Sequence, residues 1–308
     1  MKSVRGLTAI AASAGLLVLA ACGSSSNPTS PGGGGGGSSA PSDTIVVGSA
    51  NFQENVVLAD IYADALKAKG VKVSTKLNIG SREAYIPALK DGSIDLIPEY
   101  SGVLLAYFDK NATAVSSADV LAALQKAVPA PLTVLDQSQA EDKDAIVVTK
   151  ATADKYHLSS IADLAAVAGK LTLGAPPEFQ TRSDGIPGLK RVYNVTFKSF
   201  RKLDAGGPLT ENGLKNGQID AGDIFTTDPL IAQNGWVVLQ DPKNLYTAQN
   251  VLPLINSKKA SDTVKSVLNA VSAKLTTDDL VALNEKVQIN KQDPDAVAKE
   301  WLSTAGLS

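Results

Sequence analysis

The stretch Leu89-Lys90-Asp91-Gly92-Ser93-Ile94-Asp95 returns in the second half of the chain as Leu214-Lys215-Asn216-Gly217-Gln218-Ile219-Asp220. Each copy runs on, over the same distance, to an aromatic residue: Tyr100 in the first and Phe225 in the second. A glycine-led helix entry precedes each, Gly80-Ser81 and Gly206-Gly207. Further upstream, Ile45-Val46-Val47-Gly48 leads to Phe52 and Leu171-Thr172-Leu173-Gly174 leads to Phe179, at a separation within one residue of the first. Two matches at nearly one spacing read as two similar units in one chain.

Each unit reads as alternating strand and helix. Thr44 to Gly48 is a buried strand. Asn55 to Lys69 places Val57, Leu58, Ile61, Tyr62, Ala65 and Leu66 at helical spacing, and Gly70 ends it. Val71 to Ile79 alternates like a strand. Ser81 can cap a helix through Lys90, made irregular by Pro87, and Ile94 to Ile97 is a further strand. Strands separated by helices imply mostly parallel sheets and an α/β fold. In such sheets a ligand sits beyond the carboxyl ends of the strands. Gly48 to Phe52, Tyr100, Gly174 to Phe179 and Phe225 all follow expected strands, so facing lobes would share a cleft lined by them. Helix N-termini there would offer N–H groups to an anionic ligand. The same aromatics could instead be core side chains.

The N-terminus sets the compartment. Lys2 and Arg5 precede an apolar run from Leu7 to Ala21, which ends in Leu19-Ala20-Ala21-Cys22. This is the pattern of a secretory signal over residues 1–21, shorter than a comfortable membrane span. Leu-Ala-Ala-Cys resembles the bacterial lipobox, which implies a lipid on Cys22 and attachment to the extracytoplasmic face of the membrane. Cys22 is the only cysteine, so no disulfide can form within the chain. Residues 22–42 are almost entirely Gly, Ser, Pro, Asn and Ala and cannot bury enough apolar area to fold, so they read as a tether. The remaining chain is long enough for two ordinary lobes. A net charge of −2 with no basic stripe argues against a nucleic-acid partner.

Catalytic signals are missing. His157 is the only histidine and reads as a surface residue at a helix end. There is no Gly-x-Ser-x-Gly elbow in the mature chain, no phosphate loop, no dinucleotide fingerprint and no cluster of metal-ligand residues. A binding protein without cofactor or metal is expected, not an enzyme.

Several segments, taken in order, resemble the osmoprotectant-binding proteins of ABC transporters, the glycine betaine, choline, carnitine and proline binders of the ProX and OpuC type. They are Ile45 to Phe52, Gly80-Ser81-Arg82-Glu83, Leu89 to Gly102 with its Pro98-Glu99-Tyr100-Ser101-Gly102, Phe179 to Leu189 with its Arg182-Ser183-Asp184-Gly185, and Phe225-Thr226-Thr227-Asp228. The resemblance implies a type II periplasmic-binding-protein fold, two α/β lobes joined by two crossing strands near Asp144 to Val148 and Val251 to Ile255. Lobe I would hold residues 43–143 and 249–308, and lobe II residues 144–248. It further implies a monomer that closes on a small solute and presents it to a permease and its ATPase.

The family's site is an aromatic cage for a quaternary ammonium with donors for a carboxylate. A trimethylammonium has no strong hydrogen-bond donor, so ring faces must hold it. An arginine fork suits a carboxylate. By this resemblance the ligand-binding residues are Phe52, Ser81, Arg82, Tyr100, Asp144, Arg182, Glu211, Phe225, Thr226 and Thr227. Three places where the family carries tyrosine are occupied by Asp144, Glu211 and Gln249, with Tyr246 an alternative for the third. A cage with fewer rings and more carboxylate fits a cation that lacks a carboxylate, or a larger polar solute, better than glycine betaine.

Overall fold

The structure is a computed structural model and describes residues 43–308. The expected signal, the lipidated Cys22 and the tether lie outside the described residues. In chain order the elements are β1 (Ile45–Gly48), α1 (Gln53–Ala68), β2 (Val73–Lys76), α2 (Arg82–Asp91), β3 (Leu96–Tyr100), α3 (Ser101–Phe108), α4 (Ser117–Ala127) and β4 (Leu132–Val134). There follow β5 (Asp144–Val148), α5 (Lys150–Tyr156), β6 (Thr172–Ala175), α6 (Ile186–Tyr193), β7 (Ser199–Lys202), α7 (Pro208–Lys215), β8 (Ala221–Phe225), α8 (Pro229–Asn234) and β9 (Val237–Val238). The chain closes with β10 (Val251–Asn256), α9 (Asp262–Ser272), α10 (Thr277–Asn284) and α11 (Pro294–Ala305).

The strands form two five-stranded sheets, ordered β2-β1-β3-β10-β4 and β7-β6-β8-β5-β9. The orders superimpose: β1 and β6 each pair in parallel with both neighbours, and one strand in each sheet runs against its neighbours. That antiparallel strand is β10 in the first sheet and β5 in the second. Thus β5 carries the chain into the second sheet and β10 returns it to the first. The internal duplication is real at the level of topology, and the antiparallel strands are what the crossings add to it.

Helices cover both faces of each sheet, because alternate strand residues are apolar on both sides. In the first sheet Leu96, Tyr100, Val251 and Ile255 pack toward α1, α9 and α11. Ile97, Leu252 and Leu254 face the opposite way, toward α2 and α4. In the second sheet Ile146, Leu173 and Ala221 join Leu189 and Tyr193 of α6. Ala145, Val147 and Ile224 join Leu214 of α7 and Trp236. Trp236 and Trp301 are packing residues, and His157 is an exposed left-handed residue closing α5.

Most helices begin where the sequence offers a cap. Ser116, Ser261, Thr276 and Asp293 accept first-turn N–H groups of α4, α9, α10 and α11. Ser81 stands at the start of α2 as expected, but its hydroxyl donates to Glu83 Oε2 at 2.6 Å rather than accepting from the helix. The strand expected over Val71 to Ile79 is confined to Val73–Lys76, since Asn78 turns left-handed at φ 56°.

Candidate ligand-binding cleft

The carboxyl ends of β1, β3 and β8 bring three aromatic residues together. Phe52 starts α1 straight after β1, while Tyr100 and Phe225 are the last residues of β3 and β8. The Phe52 ring lies 6.0 Å from Tyr100 and 5.0 Å from Phe225, centroid to centroid, both tilted. The duplicated strand–aromatic pattern therefore brings Tyr100 and Phe225 to one place with Phe52, whereas Phe179, expected at the same cleft, is buried in the core of the second sheet instead.

On one side of these rings is a small cavity of about 50 Å³ whose walls include Ser81, Arg82, Asp142, Asp144, Arg182 and Asp223. Strand pairing explains the carboxylates. Asp144 sits opposite Phe225 in the β5–β8 ladder, and Asp223 lies two residues before Phe225, so all three share a face. Asp223 is 2% exposed and its Oδ1 receives no hydrogen bond from the protein. Burial pushes its carboxyl well above the usual range, and repulsion from Asp144 and Asp184 adds to this. Asp144 is pushed up to about 6 by burial and by Asp184, against the pull of Arg82 and Arg182. Asp142 accepts from the Thr227 amide at 3.0 Å and the Thr226 hydroxyl at 3.2 Å, yet burial and the charge of Glu54 still raise it. The Gln249 side-chain amide donates to Asp144 at 3.4 Å.

Both guanidinium groups here are already engaged. Arg82 gives Nε and Nη2 to Glu99 at 2.9 and 2.8 Å, and Tyr85 donates to the same carboxylate at 2.6 Å. Glu99 is fully buried, so this bidentate pair is a fixture of the first lobe. Arg182 reaches across the cleft to Glu83 at 3.2 and 2.9 Å. The fork expected at a ligand carboxylate is spent on a protein carboxylate.

Phe52 and Phe225 also border a larger cavity of about 490 Å³, and here stand Glu211 and Thr227. Thr227 donates to Glu54 Oε2 at 2.6 Å, while Tyr100 donates to Glu54 Oε1 at 2.7 Å. Asn284 completes the shell with 2.7 Å to Glu54 Oε2. Glu211 is pushed up to about 8 by burial and the nearby charges of Asp228 and Asp204.

The expected residues thus divide. Phe52 and Phe225 border both cavities, and Ser81, Arg82, Tyr100, Asp144 and Arg182 border the small one. Glu211 and Thr227 border the large one; Thr226 borders neither and caps the turn before β5 by accepting from the Lys143 amide. Tyr246 packs in the core of the second sheet and takes no cage position. Free helix N-termini for an anion are not what the structure offers at α7 and α8. Asp204 accepts from Leu209 and Thr210 at 2.9 Å each, and Asp228 accepts from Leu230 at 2.8 Å. Sequence reasoning missed Glu54, Asp142, Asp223 and Asn284. Only Asp223 carried a local signal, a charge inside the apolar run Ala221 to Phe225.

Among the described residues no cluster of His, Cys, Asp or Glu has the makings of a metal site, and no helix is long and apolar enough to cross a membrane.

The geometry has counterparts. A glycine-betaine-binding protein of Pseudomonas aeruginosa is 26% identical over 279 residues, covering 85% of this chain and 88% of that one. The ergothioneine transport permease/ergothioneine binding protein EgtU of Helicobacter pylori is 27% identical over 269 residues, covering 85% of this chain and 48% of that one. The crystal structure of a glycine betaine/carnitine/choline ABC transporter superposes with a TM-score of 0.66 at 24% identity, over 85% of this chain and 99% of that chain. The two mixed five-stranded sheets are those of the type II periplasmic-binding-protein fold. Residues 43–304 match the family described as the substrate binding domain of the ABC-type glycine betaine transport system. The chain belongs to that family, and it is a substrate-binding protein of an ABC transporter, not an enzyme.

Proposed function

We propose that the protein is the lipid-anchored, extracytoplasmic receptor of an ABC importer. It captures a quaternary ammonium that lacks a carboxylate, with choline as the model, between lobes spanning residues 43–143 with 249–308 and 144–248. Cys22 carries the anchor, residues 22–42 form the tether, and a single copy delivers the solute to the permease and ATPase. The observation that carries the ligand class is the charge inventory of the small cavity. Asp142, Asp144, Glu178 and Asp223 line it together with Phe52, Tyr85, Tyr100 and Phe225, while Arg82 and Arg182 are held by Glu99 and Glu83. Such a site supplies ring faces and negative charge to a cation, and no unengaged fork to a carboxylate.

Relatives are named for glycine betaine and ergothioneine, ligands that share a trimethylammonium group and a carboxylate, and the engaged Arg82 and Arg182 are what set this site apart from one for the carboxylate. The test is a calorimetric titration of the protein with choline, glycine betaine, carnitine and ergothioneine. Choline should bind tightest, and at a hundredfold excess over its dissociation constant it should stabilise the fold by about 3 kcal/mol. Tighter binding of glycine betaine would mean that Arg182 leaves Glu83 for the ligand, and the carboxylate-free reading would fall. Silence toward all four would end the quaternary-ammonium reading itself.

A further inference from the structure

The larger cavity holds acceptors that the protein leaves without donors. Asn284 Oδ1, on a residue 1% exposed, and Gln288 Oε1 are buried and receive no hydrogen bond, and Asp228, 6% exposed, has the Glu211 carboxyl as the side-chain partner for its remaining oxygen. All three residues line this cavity. The Asn284 amide cannot turn round to remedy this. Its Nδ2 donates to Glu54 Oε2 at 2.7 Å and Thr227 Oγ1 at 3.1 Å, and a flip would set oxygen against carboxylate. Glu211 adds a carboxyl beside Asp228, with Asp204 behind it.

Unmet buried acceptors cost free energy until a donor reaches them. The charged groups facing the cavity are Glu54, Asp204, Glu211, Asp228 and Lys291. Lys291 is exposed and forms no salt bridge with any of them among the described residues. An anion would find the first turns of α7 and α8 already satisfied by Asp204 and Asp228. The volume of about 490 Å³ suits a small organic molecule, and Phe52 and Phe225 offer an apolar wall to its methylenes.

We infer that this compartment binds the N–H-donating end of an organic cation, a primary ammonium or a guanidinium, through Glu211, Asp228 and Asn284. The chemistry balances as an exchange. The cation enters beside the Glu211–Asp228 pair, the proton on the Glu211 carboxyl leaves to solvent, and the carboxylate accepts from the ligand instead. Burial and like charges hold that proton on Glu211 up to a pH of about 8, so it is present at neutrality. This compartment shares Phe52 and Phe225 with the small cavity, but Glu211, Asp228 and Asn284 line it alone, and the inference does not rest on choline binding in the small cavity.

Calorimetric titration with putrescine and agmatine at pH 7, in two buffers of different ionisation enthalpy, tests it. Binding should release roughly one proton per ligand. Glu211→Gln should abolish that release and weaken both amines about tenfold, the loss of a charge-assisted hydrogen bond. In the unaltered protein, affinity for both amines should rise as pH approaches 8, a readout that needs no variant. The bis(trimethylammonium) analogue of putrescine, which has no N–H to donate, should show no proton release. Failure of both amines to bind overturns the inference. So does binding with the same proton release in Glu211→Gln, or equal proton release by the methylated diamine. Choline titration and Asp144→Asn, at a residue that lines the small cavity and not the large one, address the small cavity separately, so the two readings fail independently.

Discussion

Arg82 and Glu99 show how one residue can look like a ligand contact and be something else. Glu99 is fully buried and receives two bonds from Arg82, one from Tyr85 and one from the Tyr100 amide. Its job is to fix β3 against α2 and so aim Tyr100. Removing one partner of such a pair leaves a charge without compensation. Arg82→Met should therefore cost about 3–5 kcal/mol in urea unfolding, well beyond the loss expected of a ligand contact. Tyr100 itself faces the cage, and Tyr100→Ala should weaken a quaternary ligand by about 2 kcal/mol, roughly thirtyfold, as read by calorimetry.

Asp144 gives the pH dependence its sign. Its carboxyl is raised to about 6, so it is protonated in acid and ionised above that value. A bound cation favours the ionised form. Affinity for choline should rise as pH increases through about 6 and flatten above, and Asp144→Asn should remove the step. The stability of the ligand-free protein moves the other way. A carboxyl raised on folding contributes stability that is fully present below its unfolded value and is lost as pH rises through its folded value. That loss runs through about 6 for Asp144 and about 8 for Glu211. Glu211→Gln should accordingly raise the Tm of the ligand-free protein at pH 8 more than at pH 5.

At the scale of elements, the turn that presents Arg182 depends on Gly185. A Cβ there would stand 2.0 Å from the Phe179 carbonyl oxygen and 2.8 Å from its carbon, both backbone atoms with little room to yield. Gly185→Ala should destabilise the second lobe by about 1–3 kcal/mol and displace Arg182 from Glu83, measurable as a lower unfolding midpoint. Elements were the most legible part of the sequence. The α1 pattern from Val57 to Leu66 and the strand–aromatic pairs appear where the periodicity put them. The shortened β2 was not legible, because Asn78 leaves the strand to let the Asn78 amide reach the Ser49 hydroxyl at 2.8 Å, a contact with a residue distant in sequence. The non-capping hydroxyl of Ser81 has the same kind of cause: Glu83, a local neighbour, is held in place by Arg182 from the other lobe.

Across the whole molecule, several polar links join the lobes over the cleft, among them Arg182 to Glu83, Thr227 to Glu54 and Asn284 to Thr227. The first is partly open to solvent, with Glu83 47% exposed, so it holds the lobes by no more than about 1 kcal/mol. The second is buried and is the stronger tie. Hinge closure in a two-lobed protein is an equilibrium that such ties bias. The double variant Glu83→Gln with Thr227→Val should open the ligand-free protein, seen as a larger radius of gyration by small-angle X-ray scattering. Saturating ligand should restore the compact form. An unchanged radius would mean that other contacts keep the lobes together.

The sequence by itself determined the α/β class, the duplication and the aromatics at the strand ends, because these follow from periodicities and spacings within one segment of chain. That Asp144 and Glu211 stand where the family carries tyrosine is what the resemblance implies. Only the tertiary structure decided what those residues meet. Glu54, Asp142, Asp223 and Asn284 come from separate elements that the two crossing strands bring to one cleft, so no local pattern could group them. Likewise Arg182 and Glu83 lie far apart in the chain and pair only because the lobes face each other. Charge compensation is a property of distance in space, and spacing along the chain carries no measure of it across two lobes.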